Sequence, residues 1–150
     1  MLKICVFQDE YELYDRVISQ ALADCGVNFS VNENCCDICI AACAPTCAAR
    51  SDIVIAPGTM PASCLESLAP RSIVTYGLCC KNTLTVSSHI DGTLFITLQR
   101  ALITFVGNRV EEQEFRVSVS DLSDVELVLA AVAVLILAGV PISHISTLEF

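Results

Sequence analysis

Short apolar blocks, each about the length of a strand, alternate with helical periodicity in the first half of the chain. Leu2 to Phe7 is an apolar run broken only by Lys3, and it predicts a strand. Asp9-Glu10-Tyr11-Glu12 has the form of a capping box, with Asp9 as N-cap and Glu12 at N3. Tyr11, Tyr14, Val17, Ile18, Ala21, Leu22 and Cys25 then follow helical spacing, and Gly26 ends the helix. Val27 to Val31 alternates as a short strand. Asp37 to Ala42 predicts another, followed by an Ala/Cys segment of one or two helical turns. Ser51 to Ala56 is a buried-type strand. Pro61 suits the first turn of a short helix over Ala62 to Leu68, and Ser72 to Gly77 is the next strand. This alternation argues for βαβ units and a mostly parallel sheet.

Beyond Gly77 the pattern changes. Thr83 to Ser88, Thr93 to Leu98, Ala101 to Val106 and Glu114 to Val119 are four β-rich runs. Asp91-Gly92 and Gly107-Asn108 supply turns, so these runs predict antiparallel hairpins. Leu127 to Ile142 is the longest apolar run. Ser123-x-x-Glu126 in front of it reads as a capping box, and Gly139 with Pro141 behind it as a stop. The run falls short of the ~20 residues that a membrane-spanning helix needs. It predicts a helix over Ser123 to Ala138 buried on all sides, with a last short helix beginning at Pro141. The expected fold class is therefore α/β, a Rossmann-like parallel portion extended by antiparallel hairpins, with a long buried C-terminal helix. No linker or repeat divides residues 1–150, so a single domain is expected.

Composition narrows the function classes. The 150 residues are 54% hydrophobic, which excludes a disordered chain. Seventeen acids against eight bases give a net charge of −9, and nucleic-acid binding needs the opposite surplus. The first residues lack a signal-peptide core, so a cytoplasmic protein with no membrane span is expected.

Ten cysteines are many for such a chain, and in a reducing compartment they are expected to be free thiols. Cys5, Cys25 and Cys64 fall in strand and helix patterns and read as small buried hydrophobes. Cys35, Cys39, Cys43 and Cys47 recur every fourth residue, a spacing that on a helix shares one face and could share a metal. Pro45 breaks such a helix, and no second spaced pair exists, so close packing of small residues is the leading reading of this group. Glu111-Glu112-x-Glu114 reads as a solvated turn.

Chemistry-bearing motifs are sparse. Gln8-Asp9-Glu10 follows the first strand where a phosphate loop would carry glycines, and no glycine-rich phosphate motif occurs elsewhere. Pro57-Gly58-Thr59 lies between a strand and a helix and is the best remaining anion-loop candidate, although a single glycine is a weak signal and a plain tight turn capped by Thr59 or Met60 is the leading reading. Cys79-Cys80-Lys81 stands at a strand end, where open α/β sheets place ligands, and Lys81 could activate a thiol. The possible bases are His89, near a hairpin tip, and His144, in the closing segment.

From Ser51 to Phe150 the chain resembles the second half of the central domain of the Mur ligases and their folylpolyglutamate synthase relatives. Asp52-Ile53-Val54-Ile55 resembles the family strand "D-x-x-V-x-N", and Thr75-Tyr76-Gly77 its "T-[YF]-G" strand end. Gly92-Thr93-Leu94-Phe95-Ile96-Thr97 resembles the "G-x-x-F-x-[LV]" hairpin strand. Val125 to Gly139 resembles the alanine-rich helix, and Ile142 to Phe150 the closing "I-x-x-x-L-x-x-F". The family's ATP loop is absent. Its "G-x-H-N-x-x-N" stretch falls on Asp121 to Leu127, where the glycine, the histidine and both asparagines are replaced. The resemblance implies a scaffold without the ligase chemistry, so no catalytic residue and no cofactor is carried over.

The resulting expectation is a non-catalytic Mur-ligase-like domain that acts by binding or self-association, as a homo-oligomer in the second case. A cysteine-based redox or metal-binding protein, and a degenerate ligase that still holds a cell-wall precursor, are the alternatives.

Overall fold

The computed structural model describes residues 1–8, 12–31, 35–46, 50–120 and 123–150. Ten strands, two long helices, one short helix and one 3-10 helix make up the described residues. In chain order they are β1 (Leu2–Phe7), α1 (Leu13–Asp24), β2 (Phe29–Val31), β3 (Cys35–Ala41), β4 (Arg50–Pro57), a 3-10 helix (Ala62–Leu68), β5 (Ser72–Tyr76), β6 (Leu84–Ile90), β7 (Thr93–Leu98), β8 (Leu102–Ile103), β9 (Arg109–Val110), β10 (Gln113–Ser118), α2 (Val125–Leu137) and α3 (Ile142–Ile145).

Eight strands form one sheet in the order β10-β7-β6-β5-β4-β3-β1-β2. The pairs from β2 to β6 are parallel, and β6–β7 and β7–β10 are antiparallel. The α/β class and the parallel-to-antiparallel change follow the hydrophobic pattern. The seam between the two parts is narrow. Only Tyr76 and Leu84 pair in register there, and two threonines complete it. Thr75 N–H donates to Thr83 Oγ1 at 3.3 Å, and Thr83 N–H donates to Thr75 Oγ1 at 3.1 Å.

One face of the sheet carries the main core. Leu2 and Ile4 of β1, Ile38 and Ile40 of β3, and Ile55 of β4 pack there with Ile18 and Leu22 of α1. All of α2 from Leu127 to Leu137 is buried, because α1, the sheet and α3 surround it. A helix in that position needs no polar stripe. Each Leu, Val or Ile so buried contributes roughly 1.5–3 kcal/mol relative to exposure. No helix among the described residues is long and apolar enough to cross a membrane.

Both long helices stop on the same device. Gly26 (φ 67°) and Gly139 (φ 88°) take the left-handed conformation that glycine adopts without strain. Val27 N–H then reaches Leu22 O at 2.9 Å, and Val140 N–H reaches Leu135 O at 3.0 Å, closing the last turns.

The helix starts differ from the expected capping boxes. Glu12 is itself the N-cap of α1 rather than its third residue, and Asp9 lies outside the described residues. The first-turn amide of Asp15 is satisfied by Gln8 Oε1 at 3.0 Å, from the end of β1. In α2 the cap is Asp124 and not Ser123; its carboxylate accepts from Glu126 N–H at 2.9 Å and Leu127 N–H at 3.3 Å.

Two further expectations are corrected. Residues 42–46 form no helical turn, and only Leu102–Ile103 of the run from Ala101 to Val106 is a strand. That pair opens a small hairpin with β9, whose Phe105 N–H donates to Leu137 O at 2.7 Å.

The other face of the sheet is thinly covered. Parallel strands are usually joined by crossovers of a dozen residues or more. Here only residues 42–49 join β3 to β4, and only residues 77–83 join β5 to β6. The 3-10 helix is the one described helix on this face, and it lays Leu65 and Leu68 over Cys5, Phe7, Cys36, Cys39, Ala41, Val54 and Ala56. Small side chains suit that shallow cover.

Candidate functional site

The two loops singled out by sequence, Pro57-Gly58-Thr59 and Cys79-Cys80-Lys81, lie side by side. They follow β4 and β5 at the C-terminal edge of the parallel strands, and Gly58, Thr59, Cys79 and Lys81 line one cavity of about 530 Å³. Tyr76, Gly77, Leu78 and Asn82 complete its wall from the β5 side, and Glu126 contributes from the first turn of α2. A carboxylate at that helix end complements the backbone dipole.

Asn82 organises this edge. It is 6% exposed, and its backbone N–H donates to Cys79 O at 3.0 Å. Its carboxamide lies against two glycines. A Cβ on Gly58 would stand 1.7 Å from Asn82 Oδ1, and a Cβ on Gly77 would stand 2.8 Å from Asn82 Nδ2. Gly77 also holds φ 146°, which other residues rarely adopt. The two glycines are therefore required by the close approach of one side chain. Sequence reasoning missed Asn82, since nothing in Lys81-Asn82-Thr83 marks it; a glycine after each of two neighbouring strands was the only available signal.

The glycine loop does not offer a phosphate cradle. Gly58 N–H donates to Tyr76 O at 2.8 Å, Met60 N–H to Pro57 O at 2.9 Å, and Gly77 N–H to Leu84 O at 3.2 Å. These amides are already occupied by backbone carbonyls.

Tyr76 is fully buried between the sheet and the helices. Its hydroxyl faces Tyr14 but makes no hydrogen bond of ordinary geometry. Burial, then the Tyr14 hydroxyl and the acidic groups Glu126 and Asp124, holds the phenol protonated well above its usual range. Cys79 and Cys80 are exposed thiols. Neither imidazole lines the cavity: His89 lies in β6 and His144 in α3, and both are exposed. The arrangement offers a carboxamide, a cation and a carboxylate around an otherwise largely apolar wall.

The cysteine-rich segment is a strand, so its four-residue spacing does not gather the predicted ligands. Cys35 is exposed, Cys39 is fully buried, Cys43 is half-buried and Cys47 lies outside the described residues. Among the described residues no cluster of His, Cys, Asp or Glu is arranged to hold a metal ion. A different set comes together instead. Cys5 pairs in register with Cys39, and Cys36 packs into the same buried cluster. Strict alternation would turn Cys36 to the opposite face with Ile38. The pairing is interrupted at Asp37, whose carboxylate accepts Lys3 N–H at 2.7 Å in place of a ladder bond. Hydrogen bonds from Cys39 and then Cys5, opposed by burial and assisted by Ser51, hold the Cys36 thiol well below the ordinary thiol range. The same contacts with Cys36 and Cys5, together with burial, keep Cys39 protonated.

Other expected positions are simpler. Cys25 and Cys64 are half-buried rather than buried. The acidic cluster is exposed but only partly a turn: Glu111 pairs with Arg109 at 2.8 Å in the connection between β9 and β10, whereas Glu114 lies in β10 opposite Thr97 and accepts from Ser87 at 2.7 Å. Compared with known proteins, the chain matches no family model and no curated protein.

Proposed function

We propose that this chain is a non-catalytic binding domain of Mur-ligase-like, Rossmann-like architecture, which holds its ligand at the C-terminal edge of β4 and β5 without ATP chemistry. The observation that supports it is the state of the glycine loop. Gly58 follows a strand and precedes a helix, as a phosphate loop would. Yet its N–H is bonded to Tyr76 O, and Asn82 occupies the space above it. Triphosphate binding needs converging free amides at such a place. The cavity beside it is of a size that suits a small ligand.

Calorimetry with ATP and magnesium tests the reading. No heat of binding is expected up to millimolar nucleotide, and micromolar binding would overturn it.

The grouping of Cys5, Cys36 and Cys39 favours a second reading, a thiol-based sensor. Thiol counting and metal analysis on anaerobically purified protein decide it: ten titratable thiols and no bound metal remove it.

A further inference from the structure

We propose that the cavity at the ends of β4 and β5 is a site for a small neutral ligand bearing an amide, lactam or imide edge, and that Asn82 is the residue that reads it. This rests on the binding reading above and specifies the ligand class.

Asn82 is 6% exposed and lines the cavity, and its carboxamide makes no hydrogen bond to another described residue. A carboxamide that keeps no partner in the fold leaves its hydrogen-bonding capacity for water or a ligand in the cavity. Here the group has open space beside it. The slot formed by Gly58 and Gly77 also fixes the plane of the carboxamide before anything binds. Preorganised groups of this kind lose little freedom on binding.

The chemistry of the edge selects the partner. A carboxamide presents one acceptor and two donor hydrogens in a plane. Its complement presents a donor beside an acceptor, as amides, lactams and imides do. A bare carboxylate or ammonium satisfies only half of it. The charges around the cavity act in the same direction. Lys81 and Glu126 are both present, so neither sign of ligand is favoured throughout. Leu78 and the Tyr76 side of the wall suit an apolar or aromatic body behind the polar edge.

The test is amide-resolved NMR on the uniformly 15N-labelled full chain with four probes of one size: benzamide, nicotinamide, benzoate and benzylamine. Benzamide and nicotinamide are expected to shift the signals of Gly58, Gly77 and the Asn82 side chain in a saturable way. Benzoate and benzylamine are expected to bind at least tenfold more weakly. Asn82→Asp keeps the shape and removes the donor, and should weaken benzamide at least tenfold. Asn82→Ala removes the edge without adding charge and is read in the same way if the first variant does not fold. Equal binding of all four probes, or unchanged benzamide binding by a folded Asn82 variant, overturns the ligand class and leaves the binding reading intact. No shift of any cavity signal by any probe overturns both.

Discussion

The Ser123 side chain donates to the carbonyl of Phe150 at 2.8 Å and leaves the capping of α2 to its neighbour Asp124. Phe150 is thereby tied to the start of the most buried helix. Phe150 N–H returns to Ser118 O at 2.9 Å, so β10 is held as well. The two residues therefore contribute in different ways. Asp124→Ala should lose about 1 kcal/mol from the missing cap. Ser123→Ala should instead loosen residues 147–150, seen as faster amide exchange there, with the α2 amides little changed. Urea denaturation and hydrogen exchange read the two effects. A Ser123→Ala variant whose α2 amides exchange as fast as those of Asp124→Ala would refute the assignment.

The fit of Asn82 against Gly58 predicts a coupled pair. Gly58→Ala places a methyl where Asn82 Oδ1 stands, and overpacking of this kind costs roughly 1–3 kcal/mol. Asn82→Ala vacates the same space. The double variant should recover much of the loss, giving a coupling energy of about 1 kcal/mol or more in a double-mutant cycle. Additive losses would mean that the two residues do not share that space.

Tyr76 makes the alkaline limb of stability a test of its burial. In an unfolded chain a tyrosine ionises near about pH 10. In the fold the phenol is held protonated far above that, first by burial and then by Tyr14. The folded state thus binds the extra proton at high pH. The contribution is fully present below about pH 10 and is lost as pH rises above it. Absorbance at 295 nm should show one tyrosine ionising only as the far-UV circular dichroism collapses. Tyr76→Phe should flatten the fall of stability above pH 10. Because the hydroxyl lacks a well-formed hydrogen bond, it should be neutral or stabilising at pH 7 by up to about 1 kcal/mol. A Tyr76 that titrates near pH 10 in the folded chain would contradict its position.

Much of this architecture was legible because burial on both faces writes apolar strands, and complete burial writes a helix such as Leu127–Leu137 without a polar stripe. What was not legible depends on partners distant in sequence. Ser123 lost the capping role because Phe150 offers it a carbonyl, and Gln8 took over at α1 from the end of β1. Asn82 is recognisable only beside Gly58 and Gly77, which come from two different loops. The cysteine segment misled through its period. A four-residue repeat reads as one helix face, while a strand with an interruption at Asp37 sorts the same residues differently.

That sorting sets ionisation against access in thiol chemistry. Cys36 is held well below the ordinary thiol range, and a thiolate is the attacking form. It is also buried, as are Cys5 and Cys39, whereas Cys35, Cys79 and Cys80 are exposed. An alkylating reagent must reach the sulfur, and reaching Cys36 requires opening the cover of Leu65 and Leu68. Access should therefore govern. Pulsed iodoacetamide labelling read by mass spectrometry should modify Cys35, Cys79 and Cys80 first, with Cys5, Cys36 and Cys39 protected until denaturant is added. Leu68→Ala thins that cover, and should cost about 2–5 kcal/mol while bringing Cys36 into the early-labelled set. Because the pKa of Cys36 is already low, its labelling rate in that variant should rise more steeply than that of Cys39, which stays protonated. Equal acceleration of the two would show that the hydrogen bonds among the three thiols do not set which one ionises.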